Sequence, residues 1–257
     1  MQDLSKDVLT FWNSRAGLGR WAGSRDVIAK QLEIEAIASY VTDGMHLLDV
    51  GCGNGITAME LARRYDIHVT GIDYAEEMID AARVLAAGQR MKGSVNFKVN
   101  DVKRLHHFSE KFDLIYTERT LINLPDWASQ KEAIVGITSL LKNGGAYLMC
   151  ENSQDALDRI NDCRERIGLP RINPPWHNCY FHEADVQKLH IHGVRLEHTD
   201  CFSSTYYFLS RIVNAWLAQE QNREPEYEAS INHLALKLPS FGDMGQVKIW
   251  YWRKCIE

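Results

Sequence analysis

The stretch HLLDVGCGNGITAMELARRY, residues 46 to 65, constrains this chain more than any other. His46 to Val50 is an apolar run of strand length, Gly51, Gly53 and Gly55 follow at every second position, and an amphipathic helical pattern begins directly after them. A strand that turns through glycines into a helix aims the first N–H groups of that helix, and the positive end of its dipole, at whatever lies over the turn. The segment predicts an open α/β sheet with a crevice for a polar or anionic ligand at the carboxyl end of its first strand. The occupant is either a dinucleotide, with its pyrophosphate on the turn, or another adenosine compound.

Further strand-like runs occur at His68 to Ile72, Val95 to Val99, Phe112 to Tyr116 and Ala146 to Cys150, separated by helical patterns. That alternation predicts a parallel sheet covered by helices. A helix at Glu183 to His190, a strand at Val194 to Phe202 and a last strand at Gln246 to Arg253 complete the series. Residues 152–183 and 203–244 exceed what the sheet needs and leave it at carboxyl ends of strands, where long connections roof a site. The expected organisation is one domain: N-terminal helices (1–45), a ligand-binding core (46–151), two cap insertions (152–183 and 203–244), and the rest of the sheet (184–202 and 245–257).

Composition narrows the partners. With 257 residues, 45% of them hydrophobic, the chain has enough apolar surface for a full core. No basic-then-apolar leader opens it and no apolar run approaches the roughly 18 residues that span a bilayer, so a soluble, cytoplasmic protein without membrane partners is expected. The six cysteines form no C-x-x-C pair, which argues against a zinc ribbon or redox motif. His106-His107 and His190-x-His192 have no evident carboxylate partners at the active edge, so no metal is expected. The formal net charge of −5 offers no long-range attraction to a phosphate backbone, and nucleic acid is not an expected partner.

The dinucleotide fingerprint is broken at its last position, where Ile56 replaces the glycine of G-x-G-x-x-G. Asp49, two residues before the first glycine, would repel a pyrophosphate but suits a loop arranged around an ammonium group. LLDVGCGNG closely resembles the first motif of the class I S-adenosylmethionine-dependent methyltransferases, and three later segments match that family in order and spacing: HVTGIDYAEEMIDA, VNFKVNDVKRL and FDLIYTERTLINLPDW. The resemblance implies a Rossmann-like, doubly wound, mostly parallel seven-stranded sheet with an antiparallel last strand and helical cap insertions. It also implies S-adenosyl-L-methionine as cofactor and S-adenosyl-L-homocysteine as product.

Residue by residue, the resemblance implies donor contacts along Gly51, Cys52, Gly53 and Asn54. It gives Asp73 the ribose hydroxyls, Tyr74 and Met78 the adenine and ribose, Asp101 and the Val102 backbone the adenine ring, and Thr117 with Glu118 the methionine end. Asp73 and Asp101 also read as helix caps, and Cys52 as a small residue in a tight loop with no basic partner to activate it. By analogy the first helices close over the donor, making Trp12 a wall and Arg15 or Ser24 a partner for the methionine carboxylate; packing of Trp12 on the domain surface is the alternative.

The acceptor side is less specific. Asn173-Pro174-Pro175-Trp176 has the form of a nucleobase-amine methylation signature, but it lies about 55 residues beyond the fourth strand, where Thr117-Glu118-Arg119 stand instead. The proline-stiffened loop offers Trp176, His177, Asn178 and Tyr180 as pocket lining, and the second insertion offers Tyr206. Arg119 and Arg164 are candidates for gripping an anionic acceptor. A hydroxyl acceptor needs a base, for which His177, Glu118 and Glu151 are candidates, although Glu151 equally suits orienting Arg119 or Arg164. The reading is methyl transfer to a small polar acceptor, at oxygen, with transfer to nitrogen and a non-catalytic donor-binding protein as alternatives.

Overall fold

The structure, a computed structural model, describes residues 4–256. Seven strands form one sheet in the order β3-β2-β1-β4-β5-β7-β6: β1 His46–Val50, β2 His68–Asp73, β3 Ser94–Val99, β4 Phe112–Glu118, β5 Leu141–Asn152, β6 Val194–Asp200 and β7 Val247–Lys254. The pairings among β1 to β5 are parallel, whereas β7 runs antiparallel to both β5 and β6. The expected fold is therefore borne out, including the reversed last strand.

The two faces of the sheet follow from period-two alternation along each strand. Leu47, Val69, Leu114, Tyr116, Leu148 and Ile249 pack on one side with α2 (Val27–Ala38) and α3 (Ile56–Arg64). Leu48, Val50, Ile72, Ile115, Tyr147 and Trp250 pack on the other with α5 (Trp127–Ser139). Trp250, Tyr251 and Trp252 are all buried, in alternating clusters, as expected for a strand between unlike surfaces.

From β1 the chain crosses to β2 on one side, while β4 pairs on the other. The carboxyl ends of β1 and β4 thus flank the point where strand order reverses, the usual crevice of such sheets. Over that edge lie α1 (Leu4–Arg15) and α4 (Glu76–Ala86), joined by a small apolar cluster of Ala16, Ala22, Ala75 and Met78 with Trp12 against it. The segment after β5 forms α6 (Gln154–Arg166) and the proline loop, and that after β6 forms α7 (Ser204–Phe208), which continues through a π-turn at Leu209–Val213 into α8 (Asn214–Glu220).

Candidate functional site

The glycine turn is held from beneath. Gly51 and Cys52 both donate their N–H groups to the Ile72 carbonyl, at 2.7 and 2.9 Å. Gly53 donates to Asp73 Oδ2 at 2.9 Å, while Asp73 Oδ1 accepts from Ala75 N at 2.9 Å at the entrance to α4. One carboxylate thus closes the turn that leads into α4 and pins the glycine turn. A Cβ on Gly51 would stand 2.2 Å from Thr120 Cγ2 and one on Gly55 2.4 Å from the Phe97 ring, at backbone φ of 74° and 77°. Gly53 differs: φ is 52°, nothing lies within 4 Å of where its Cβ would be, and it borders the main cavity. A side chain there would occupy space needed for a ligand to approach the backbone.

That cavity has a volume of about 680 Å³. Gly51, Cys52, Gly53, Asn54, Asp73, Tyr74, Met78, Asp101, Val102 and Glu118 all border it, so the four sequence motifs converge on one space. Asp101 also accepts from Lys103 N at 2.9 Å, which makes it a cap and a wall together. Trp12 borders the cavity too and donates from Nε1 to Asn123 Oδ1 at 3.2 Å. Asn54 Nδ2 reaches the Gly19 carbonyl at 2.6 Å and ties the N-terminal segment to the turn.

Arg15 borders the cavity but grips its own loop: Nε donates to Ala22 O at 2.6 Å and Nη2 to Trp21 O at 2.9 Å. These bonds clasp the N-terminal segment at the cavity wall, where Arg15 or Ser24 is the expected partner of the methionine carboxylate. Ser24 stays at the wall, its Oγ accepting from Asp26 N at 3.0 Å, with its own proton available to donate.

Two buried acids separate in ionisation. Burial, with Glu118 adding repulsion, pushes Asp49 up to about 8, although Tyr116 OH donates to it at 2.9 Å. Burial acts on Glu118 in the same sense, but the charge of Lys30, which pairs with its Oε1, holds the carboxyl down at about 2. Thr57 Oγ1 donates to Glu118 Oε2 at 2.6 Å. Glu33, buried against this pair, is pushed well up by burial. An acid so low and already paired is a poor proton acceptor at neutral pH, which corrects the candidacy of Glu118 as a base.

Five expected site residues do not border the cavity. Glu151 faces the backbone of the turn after β4, accepting from Thr120 N at 3.1 Å, Leu121 N at 3.0 Å and Ile122 N at 3.4 Å; it shapes the turn and is removed as a base. Thr117 is buried against the Tyr147 hydroxyl at 3.0 Å. Arg164 donates from Nε to Pro170 O at 2.7 Å and from Nη1 to the Arg211 carbonyl, so it braces the cap. Tyr206 is buried, its hydroxyl donating to Asp26 Oδ1 at 2.5 Å. Trp176 lies 60% exposed, edge-on to Phe11 and His177.

His177, Asn178, Tyr180 and Arg119 do border it. The His177 ring packs against Phe11 and Trp12, at centroid distances of 4.5 and 5.9 Å, and its Nδ1 has no hydrogen-bond partner. Burial, with the charge of Arg15, lowers its pKa. Asn178 Nδ2 and Trp12 Nε1 share Asn123 Oδ1, at 3.3 and 3.2 Å. Sequence reading did not single out Asn123, Asp26, Lys30 or Arg211, which border the same cavity. His106 and His107 lie outside the residues whose side chains are described; among the described residues, no three His, Cys, Asp or Glu side chains gather as a metal site. Nor, among the described residues, is any helix long and apolar enough to cross a membrane.

The raised Asp49 makes stability pH-dependent. Its folded value of about 8 exceeds the unfolded value of about 4, so the folded state holds an extra proton between them. The stability associated with that proton is complete below about pH 4 and is lost as pH rises through 8. Glu151, pushed by burial up to about 7, acts in the same direction. Asp49→Asn should therefore flatten the decline of the thermal unfolding midpoint between pH 5 and 8. Equal slopes for variant and wild type would contradict this assignment.

A doubly wound sheet with a glycine turn, a strand-terminal carboxylate and a roofed cavity at its switch point defines a Rossmann-like protein built for a nucleoside ligand. A family model described as a methyltransferase domain matches residues 41–190. Among curated proteins, an O-methyltransferase of Pyrenophora dematioidea is 32% identical over 133 residues, covering 50% of this chain and 49% of that protein. A ubiquinone biosynthesis O-methyltransferase of Coxiella burnetii (strain Dugway 5J108-111) is 35% identical over 102 residues, covering 40% and 41%. The chain spans a little under half the length of these curated relatives. Among solved structures, a SAM-dependent methyltransferase from Methanosarcina mazei shares the fold with a TM-score of 0.55 at 20% identity, covering 86% of this chain and 98% of that one. A mycolic acid cyclopropane synthase complexed with SAH and CTAB does so with a TM-score of 0.58 at 16% identity, covering 88% and 84%. The chain belongs to the methyltransferase-domain family, within the class I S-adenosylmethionine-dependent methyltransferases.

Proposed function

We propose that the protein moves a methyl group from S-adenosyl-L-methionine to an oxygen of a small polar acceptor, with S-adenosyl-L-homocysteine as the other product. The observation that carries this reading is one continuous cavity joining the Asp73-pinned glycine turn to a polar chamber at the end of β4. Bound there, the donor supplies an electrophilic methyl carbon on a sulfonium.

The protein's part is alignment and exclusion of water, which together account for much of the acceleration in such displacements. Asp73 keeps acceptor capacity on both oxygens for two ribose hydroxyls, beyond its bonds to Gly53 and Ala75. Tyr74, Met78, Asp101 and Val102 wall the adenine end, and Trp12 covers it. Glu118, held ionised beside Lys30, supplies negative charge toward the methionine ammonium, while Asp49, pushed up to about 8 by burial, adds a mostly neutral carboxyl to the same wall. The described N-terminal segment, which lines the cavity from Lys6 to Lys30, serves as a lid over the donor, while Tyr180 from the first insertion and Tyr207, Arg211 and Tyr227 from the second roof the acceptor.

Of the three candidate bases, His177 is left. Burial lowers its pKa, which favours the neutral imidazole, and the residue borders the cavity. The O-methyltransferase names of the curated relatives support oxygen over nitrogen. The net charge of −5 argues for a small molecule and against nucleic acid, and the six free cysteines suit a reducing, cytoplasmic compartment.

The test is to incubate the protein with S-adenosyl-L-methionine and metabolite extracts and to search by mass spectrometry for a product heavier by one methylene unit, formed together with S-adenosyl-L-homocysteine. Absence of both across acceptor pools would count against catalysis. His177→Ala should lower turnover by about 100-fold, the lower range for loss of a general base, with donor affinity unchanged. Wild-type turnover in that variant would remove His177 from the role.

A further inference from the structure

Two guanidinium groups serve the far end of the cavity. Arg119 follows β4 with a positive backbone φ of 54°, an uncommon conformation for a non-glycine residue and one that clusters at functional sites. Arg211 projects from the π-turn that interrupts the cap helix, another feature frequent at such sites. Both lie deep in the protein, yet their side chains remain 22% and 19% accessible. Since both border the cavity, that accessible surface belongs to the chamber.

Neither fork is saturated. Arg211 donates to Ser210 Oγ at 3.1 Å and to one oxygen of Asp26 at 2.7 Å, a single-point contact that leaves part of the guanidinium unspent. It is stacked by Tyr206, Tyr207 and Tyr227, with ring centroids 5.7, 5.1 and 5.1 Å away. Arg119 Nη2 lies 3.1 Å from Glu33 Oε2 in a geometry that is not that of a hydrogen bond, and its Nε is buried without a partner. Burial pushes the hydroxyls of Tyr180 and Tyr207 up, and both arginines oppose that push, which sets the two charges around one space.

Lys30, Arg119 and Arg211 stand at this end of the cavity with Asp26, Glu118 and Glu33, and of the two guanidinium groups only that of Arg211 hydrogen-bonds a carboxylate, at one oxygen. Buried donors without acceptors are costly, so the chamber favours a ligand that brings anionic oxygens to the unspent N–H groups. A guanidinium fork matches a planar carboxylate.

Resting on the methyl-transfer reading, we infer that the acceptor is a small molecule carrying one carboxylate, which Arg119 and Arg211 hold at the end of the cavity away from the glycine turn. The two arginines act as specificity determinants, positioning the hydroxyl to be methylated.

The experiment is calorimetric titration of the protein, saturated with S-adenosyl-L-homocysteine, with benzoate, benzamide and phenyl phosphate. Benzoate should bind about tenfold more tightly than either of the others. Arg211→Gln should lose that preference while keeping its affinity for S-adenosyl-L-homocysteine, and Arg211→Lys should fall between. Benzamide binding as well as benzoate, phenyl phosphate binding more tightly, or no benzoate binding would overturn the inference, and the wild-type comparison decides this even if the variants do not fold. Failure of S-adenosyl-L-homocysteine to bind would count against the donor reading instead. The same three titrations on the protein alone then test the clamp.

Discussion

Replacing Asp73 with alanine is expected to weaken binding of S-adenosyl-L-homocysteine by about 10- to 100-fold. The carboxylate is asked to do two things: accept the ribose hydroxyls, and keep the glycine turn in register through Gly53 N at 2.9 Å. Hydrogen bonds to a charged acceptor contribute about 1.5 to 3 kcal/mol, and about 1.4 kcal/mol is a factor of ten in affinity. Alanine removes both contributions and also the bond to Ala75 N that closes the turn before α4. Asparagine keeps one carbonyl oxygen for Ala75 but presents an amide to Gly53, so Asp73→Asn should fall between wild type and Asp73→Ala. Titration calorimetry measures all three. Unchanged affinity in the alanine variant would reject the ribose placement.

The largest stability loss is expected at Asp26. Its Oδ1 accepts from Ala29 N at 3.0 Å, as the N-cap of α2, and from Tyr206 OH at 2.5 Å; Oδ2 pairs with Arg211 Nη2 at 2.7 Å. A residue near the N-terminus thus holds the second cap insertion. Asp26→Ala loses the cap, worth about 1 kcal/mol, and leaves a mostly buried guanidinium without its counter-charge, a change that typically costs about 3 to 5 kcal/mol. Denaturant unfolding should show a loss in that range, with Asp26→Asn losing less because it keeps the cap and the acceptor for Tyr206. A loss below about 1 kcal/mol would mean that the cap insertion is anchored elsewhere.

Period-two apolar runs and glycine turns are local signals, which is why every strand was legible, although β5 begins at Leu141, well before the Ala146 read from the sequence. The donor half of the site was legible for the same reason: Asp73, Asp101 and the glycines sit at strand ends, and a strand end fixes where its last side chain stands. The acceptor half depends on contacts between distant segments. Arg164, read as a candidate grip for an anionic acceptor, turns inward to brace Pro170 and Arg211. Arg211, which the sequence does not single out, reaches the cavity from a π-turn that no sequence period announces. One signal was present and unread: Asp26, Lys30 and Glu33 recur at helical spacing on a single face of α2, an unusual polar stripe in an otherwise apolar helix. That stripe meets Glu118, Arg119 and Arg211 in the structure.

The account rests on an adenosyl sulfonium compound lying across the turn after β1. The most direct measurement is side-by-side titration of the intact protein with S-adenosyl-L-methionine, S-adenosyl-L-homocysteine and NADH. The account predicts one-to-one binding of the first two and none of the third. Binding of NADH in their place, or heat from none of the three, would contradict it.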